Sequence, residues 1–467
     1  SQRPISRWPA SLVVVPAGYG IAAILTISGE RHRLDTVHAV ASSARRPINA
    51  PPGSPQGTGV PWLGLSILLV LLLILAAFVA YFFFDVGKDE GGDSSSGVTE
   101  LETGATGGQG AIVGHSNGPL GFPSAATRNT TRISGSDPVD ISMAAALAAY
   151  PTSGPGSPPA AVTIIDANDW QSGVAAASLS ALPIGSPILL APSGTLSATG
   201  MDTLAQLDPL GSPDTGENKV FTVGKVAPPS GYDVERLDGN SPAEIAAAVA
   251  DERAALTDAP PNAFVVVSSE APDYATPAAT WAARSGDVVL YTGKDEVPKA
   301  TLDVIKDKAN KDVPIFVLGP SDVVSSKALK QLDKAGSTVE RVGGDDPESA
   351  AVELVRFSSG LFGWSLNEPG HGYVLARTDR PMDAIAVTAL STGGTWAALL
   401  LTDSSEKLPQ VVEDYLLDVK PGYETDPTKA IFSHVWIVGD DSIISVDEQA
   451  RVDDAVELAP VDTVAEG

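Results

Sequence analysis

Three arginines, Arg132, Arg236 and Arg341, recur in one pattern, Arg-x-x-Gly-x-(Asp/Ser)-Pro, roughly 105 residues apart. The glycines are Gly135, Gly239 and Gly344, and the motif closes on Asp137-Pro138, Ser241-Pro242 and Asp346-Pro347. A guanidinium beside an exposed helix start can hold a carboxylate or a phosphate, so these arginines are candidate contacts for an anionic ligand or partner. The same residues also have a purely architectural use. Asp137, Ser241 and Asp346 suit the N-cap of a helix, and Pro138, Pro242 and Pro347 suit its first position. Glu244 completes a capping box with Ser241. Strand end, tight turn and helix start account for most of the motif without a ligand. A second set, Asp169, Asp273 and Asp383, also falls where a strand gives way to a helix. Capping is the default there, and contact with a ligand or a neighbouring repeat is the sharper option.

Nothing else declares chemistry. The five histidines, His32, His38, His115, His371 and His434, do not recur with the repeat. There is no HExxH, no Gly-x-Ser-x-Gly and no His/carboxylate cluster at metal-ligand spacing. With no cysteine, thiolate metal sites, disulfides and cysteine nucleophiles are excluded. The glycines at 104, 107, 108 and 110 lack the preceding strand and following Lys-Ser/Thr of a phosphate loop. The sequence therefore predicts a non-enzyme without a cofactor. A formal charge of −27 argues against a nucleic-acid partner, because phosphate contacts need clustered Lys and Arg.

The elements that would position these residues repeat with them. Apolar, strand-like runs appear at 162–167, 264–268 and 373–376, then at 187–191, 288–292 and 398–402. A third set, ending on glycine, lies at 220–224, 315–319 and 435–439. Alanine-rich or amphipathic helices alternate with them, for example 300–309 and 410–419. Fully apolar strands alternating with helices indicate parallel sheets covered on both faces. The fold expected is α/β, with three tandem small parallel-sheet repeats: 128–236, 237–341 and 342–460, followed by a tail at 461–467.

Ahead of the repeats the chain has a different character. Residues 62–84 form an uncharged apolar run, long enough as a helix to cross a bilayer core of about 30 Å. Residues 1–61 carry six Arg and only two acids, Glu30 and Asp35. This asymmetry predicts a single-pass membrane protein with a cytoplasmic N-terminal segment and extracytoplasmic repeats. The stretch 11–28 reads as a weak span, a signal-like segment or a short strand-rich piece. Residues 85–127 read as a flexible Gly/Ser linker. The chain begins with Ser1, so the native start can differ. The Ala, Gly, Pro and Asp excess with few Lys suggests a high-GC, actinobacterial source.

On these residues the three copies resemble the cell wall-binding repeat type 2 family, over about 128–460. The closest matches are Arg132-Ile133-Ser134-Gly135 and Asp383-Ala384, together with the apolar strands that end in glycine. The resemblance implies three copies packed with pseudo-threefold symmetry. It also implies attachment to anionic secondary polymers of Gram-positive walls. The chain departs from the family at Pro138, Pro242 and Pro347, where the family has Arg. Two functions follow as expectations: a membrane-anchored, non-catalytic module that binds a wall glycopolymer, or an accessory subunit of a larger membrane complex. Lys294, Lys299, Lys306, Lys308, Lys311, Lys327, Lys330 and Lys334 make repeat two the candidate polymer face.

Overall fold

The computed structural model describes residues 11–17, 20–26, 125–152, 157–336, 338–392 and 396–461. The chain divides into two units, 1–104 and 105–467. In the first, strands β1 (Ser11–Ala17) and β2 (Gly20–Thr26) pair antiparallel, from Ser11 opposite Thr26 to Ala17 opposite Gly20. Of the three readings of 11–28, the strand-rich one fits.

The second unit contains three parallel sheets of one design. In sheet 1, β5 (Val162–Asp166), β6 (Ile188–Ala191), β7 (Val220–Val223) and β8 (Val234–Leu237) lie in the order β6-β5-β7-β8. Sheet 2 repeats this as β10-β9-β11-β12, from β9 (Phe264–Ser268), β10 (Val288–Thr292), β11 (Ile315–Leu318) and β12 (Val339–Val342). Sheet 3 contains β13 (Gly372–Arg377), β14 (Ala398–Thr402) and β16 (His434–Val438). Its fourth place is taken by a strand from the start of the unit, β4 (Thr130–Ile133), flanked by the short antiparallel β3 (Ala125–Ala126). Arg132 pairs with Ile437 across this junction. The three copies therefore close on themselves. Each Arg-bearing strand ends one sheet and leads into the first helix of the next copy. A small parallel pair, β15 (Gly422–Tyr423) with β17 (Ala459–Pro460), completes the strands described.

Side-chain alternation explains the layers. In β5, Val162 and Ile164 face a cluster with Met143 and Leu147 of α1 (Pro138–Ala149) and Leu204 of α3 (Ala198–Leu207). Ile165 enters a second cluster with Val174 of α2 (Trp170–Ala176). Both faces are covered, so the strand is apolar throughout, as parallel sheets require. The second cluster runs from Ile133 to Val438 and takes in all three copies.

Its centre is made by α2, α5 (Pro272–Ser285) and α9 (Pro381–Ala386), which pack against one another. Their alanine content follows from that. A Cβ on Gly173 of α2 would stand 2.7 Å from Ile165 and 2.7 Å from Ile385 of α9. Only a bare backbone fits there. Each central helix also meets the first helix of the following copy: α2 meets α4 (Pro242–Thr257), α5 meets α8 (Pro347–Arg356), and α9 meets α1. Arg253 of α4 crosses one such seam and donates to the carbonyls of Ser178 (2.7 Å) and Leu182 (3.3 Å). Burial lowers the pKa of this guanidinium to about 10, against the pull of Asp287.

Two expectations are corrected. Among the described residues no helix is long and apolar enough to cross a membrane. The longest α-helix there, α4, has 16 residues and carries Glu244, Asp251, Glu252 and Arg253, whereas a span needs about 20 apolar residues. The fold class is therefore α/β with several parallel-sheet units and no described membrane-spanning helix. The expected span, 62–84, lies outside the described residues. The single-pass membrane localisation and the bilayer contact rested on that span, and no described helix carries them.

Candidate functional site

In each sheet the chain leaves the first strand toward one edge and then crosses back to the other side. The direction reverses between β5 and β7, between β9 and β11, and between β13 and β16. Ligands of open α/β sheets bind outside the carboxyl ends of the strands at such a switch point. All six charged candidate contacts named from the sequence lie at this edge.

The repeated motif has a definite geometry here. Asp137, Ser241 and Asp346 are the N-caps of α1, α4 and α8, accepting from the amides of Val139, Glu244 and Ser349. Pro138, Pro242 and Pro347 open those helices. Asp346 and Ser349 form a reciprocal capping box. Ser241 and Glu244 do not: the Glu244 carboxylate accepts from the Asn240 amide at 2.8 Å, one residue away from the expected partner. The motif glycine lies flat against the next helix. A Cβ on Gly239 would come within 2.7 Å of the Ile245 nitrogen, and one on Gly344 within 2.8 Å of the Ala350 nitrogen.

The three arginines diverge. Arg132 is 3 % exposed. Its Nε donates to Gln449 Oε1 (2.9 Å), its Nη1 to the carbonyls of Gly439 (2.8 Å) and Asp440 (3.0 Å), and its Nη2 to that of Ser445 (3.3 Å). Burial lowers its pKa, partly offset by Asp441 and Asp440. Arg341 donates to the carbonyls of Gly319 and Val324 in the equivalent loop of sheet 2. Both loops turn at a glycine of positive φ, Gly439 (+95°) or Gly319 (+98°), and then start a helix, α11 (Val446–Ala455) or α7 (Ser326–Ala335). No helix separates β7 from β8 in sheet 1. Arg236 therefore has no such loop to grip. Among the described residues its guanidinium reaches only Asp238, at 3.3 Å, and its side chain is 48 % exposed.

The aspartates also take different positions. Asp169 is the N-cap of α2 and accepts from the Ser172 amide (3.0 Å) and hydroxyl (2.6 Å). Asp273 sits half-buried in the first turn of α5. Asp383 is buried in α9 and paired with Arg380, which also donates to the Ser136 carbonyl at 3.0 Å. Burial raises the Asp383 pKa against the pull of that arginine. Each aspartate thus belongs to its own sheet, and they form no common cluster. Of the six candidates, Arg236 keeps the most donor capacity for another molecule.

A model of the cell wall binding domain 2 (CWB2) family matches residues 236–329. The chain carries a cell wall-binding repeat. The matched stretch begins at Arg236 and takes in most of sheet 2. Two solved structures share the fold, Cwp6 and Cwp8 from Clostridium difficile. They are 17% and 16% identical, with TM-scores of 0.55 and 0.54, and each covers 71% of this chain. The chain in turn spans only 48% of the first and 52% of the second. No curated protein sequence matches. The lysines named for repeat two, from Lys294 to Lys334, are all exposed, with Lys299 paired to Asp303. Sequence reasoning missed one further set, Trp281, Trp364, Trp396 and Arg284 at the amino ends of the strands. No repetition marks it; the signal was simply tryptophan on either side of a copy boundary.

Proposed function

We propose that this chain is a non-catalytic module that binds an anionic glycopolymer of the cell wall. The reading rests on the CWB2 match over 236–329. That stretch begins at the freest motif arginine, on the last strand of the first sheet, and holds the exposed lysines of the second copy from Lys294 to Lys327. Arg236 at the carboxyl edge would contact charged groups of the polymer, and the lysines would supply the longer-range attraction. Arg132 and Arg341, occupied by backbone carbonyls, would shape the edge and leave the binding to others.

The test is co-sedimentation of the protein with purified Gram-positive walls, before and after hydrofluoric acid strips their secondary polymers. Binding to intact walls that disappears after stripping is the expected result. It should weaken as salt rises, because exposed charge contacts are screened. Equal sedimentation with both preparations would overturn the reading.

A further inference from the structure

We infer that a cleft between the second and third copies, at the amino ends of the strands, is a binding site for a pyranose ring that carries a negative charge. This deepens the wall-glycopolymer reading and rests on it. The cleft has a volume of about 630 Å³, inside the range of roughly 300–1,000 Å³ usual for small-molecule sites. Asn262, Trp281 and Arg284 line it from the second copy; Trp364, His371 and Trp396 line it from the third. These residues lie just before β9, β10, β13 and β14, on the edge away from the motif arginines.

The walls are rigid. Trp281 is packed edge-on against Phe362 (5.2 Å) and Trp364 (5.5 Å), and its indole N–H donates to Asp287 at 2.8 Å. Trp396 is different: it is 54 % exposed, and its backbone is held at φ +43°. A tryptophan in left-handed backbone is strained, and strain of this kind is found at ligand clamps. Flat indole faces suit the C–H face of a sugar, which carries the positive end of the C–H dipoles toward the ring's negative face.

The charge comes from Arg284. Its Cζ lies 4.0 Å from the centre of the Trp396 ring. Among the described residues it has no carboxylate or carbonyl partner. On a chain of net charge −27, a half-buried guanidinium without an acid is unusual. Stacked on its face, it keeps its edge N–H groups free for a carboxylate or phosphate in fork geometry. Burial lowers the His371 pKa, so near neutral pH the imidazole is uncharged and offers one donor and one acceptor to hydroxyls. A cavity of similar size, about 660 Å³, is lined by Asp251, Asp258, Asp303 and Asp307 and has the wrong sign for an anion.

The experiment titrates the whole protein by tryptophan fluorescence and calorimetry. The probes are hyaluronan tetrasaccharide for a carboxylate, mannose 6-phosphate for a phosphate, and chitotetraose as the neutral control. At least one acidic probe should saturate, and bind about tenfold tighter than chitotetraose. Trp396→Ala and Arg284→Gln should each weaken it about tenfold without changing the melting temperature. No saturation by either acidic probe, equal binding of chitotetraose, or unchanged binding in folded Arg284→Gln overturns the cleft. Wall sedimentation separates the two readings. Cleft failure with wild-type sedimentation intact removes the cleft alone. Oligosaccharide binding without wall sedimentation removes the wall reading.

Discussion

Arg132 and Arg236 occupy the same place in the repeated motif, yet one is buried in carbonyls and the other is 48 % exposed. The difference lies in what faces them. Opposite Arg132, strand β16 turns at Gly439 and starts a helix, and the turn leaves carbonyls pointing inward. Opposite Arg236, the chain leaves Gly224 and runs to β8 without a helix. One arginine thus acts as the fourth wall of a loop, and its counterpart is left with an aspartate two residues away. A motif repeated in sequence need not be repeated in role.

The strongest way to break this contrast is Arg132→Met. The methionine fills the space but leaves three carbonyls and the Gln449 side chain without their donor. Orphaning buried acceptors costs about 1–3 kcal/mol each, relieved in part by relaxation, so we expect a loss of about 3 kcal/mol in urea unfolding. Arg341→Met, which orphans two carbonyls, should cost about half as much. The contrast collapses if Arg236→Met proves as damaging as Arg132→Met.

Next in size is Gly173→Ala, which tests whether the copies lean on one another at the centre. The new methyl would meet Ile165 and Ile385 at 2.7 Å. Overpacking of this kind costs about 1–3 kcal/mol. A variant as stable as the parent would show that α2 and α9 have room to part, and that the seams are looser than the shared cluster suggests.

The caps rank third. Asp346→Ala removes the 2.7 Å carboxylate bond to the Ser349 amide and leaves the other half of the box, the residue-346 amide on the Ser349 hydroxyl, while Ser241→Ala removes a longer bond of 3.3 Å to a neutral hydroxyl. Losses of about 1 kcal/mol are expected, with Asp346→Ala the larger. No loss at all in Ser241→Ala would mean that the Glu244 bond to Asn240 has taken over the capping of α4, and the reverse order would mean that the longer Ser241 bond holds its helix better than the shorter Asp346 one.

What was legible in the sequence was local. Strands, alternating helices and caps depend on neighbours a few residues away, so Val220–Val223 and Asp137 could be read directly. The closing of sheet 3 by Thr130–Ile133 was not legible, because nothing near Arg132 announces a partner at Ile437. For the same reason the sequence could not say that Arg132 would be sealed: the carbonyls it grips begin at Gly439, 307 residues further along the chain. The aspartates look in phase by counting. Small differences in loop length nevertheless place Asp169 at a cap and Asp273 and Asp383 inside the first turn. The tryptophan cleft was hidden because its residues come from two copies and occur only once.

The smallest expected effect belongs to Arg236→Ala, and it is the most informative about binding. The side chain is exposed, and its ion pair to Asp238 is itself exposed. Such pairs contribute between nothing and about 1 kcal/mol, so unfolding should shift by less than about 0.5 kcal/mol. If the carboxyl edge of the first sheet meets an anionic polymer, the same change should reduce wall sedimentation on the order of threefold at low salt, and by little at high salt, because a rim charge acts through a screened field. Arg132→Met, corrected for its fraction folded, should leave sedimentation unchanged, since its guanidinium is already committed to carbonyls. A loss of binding in Arg132→Met with none in Arg236→Ala would invert the contrast. The buried arginine, and the loop it holds, would then be the part of the edge that the polymer touches.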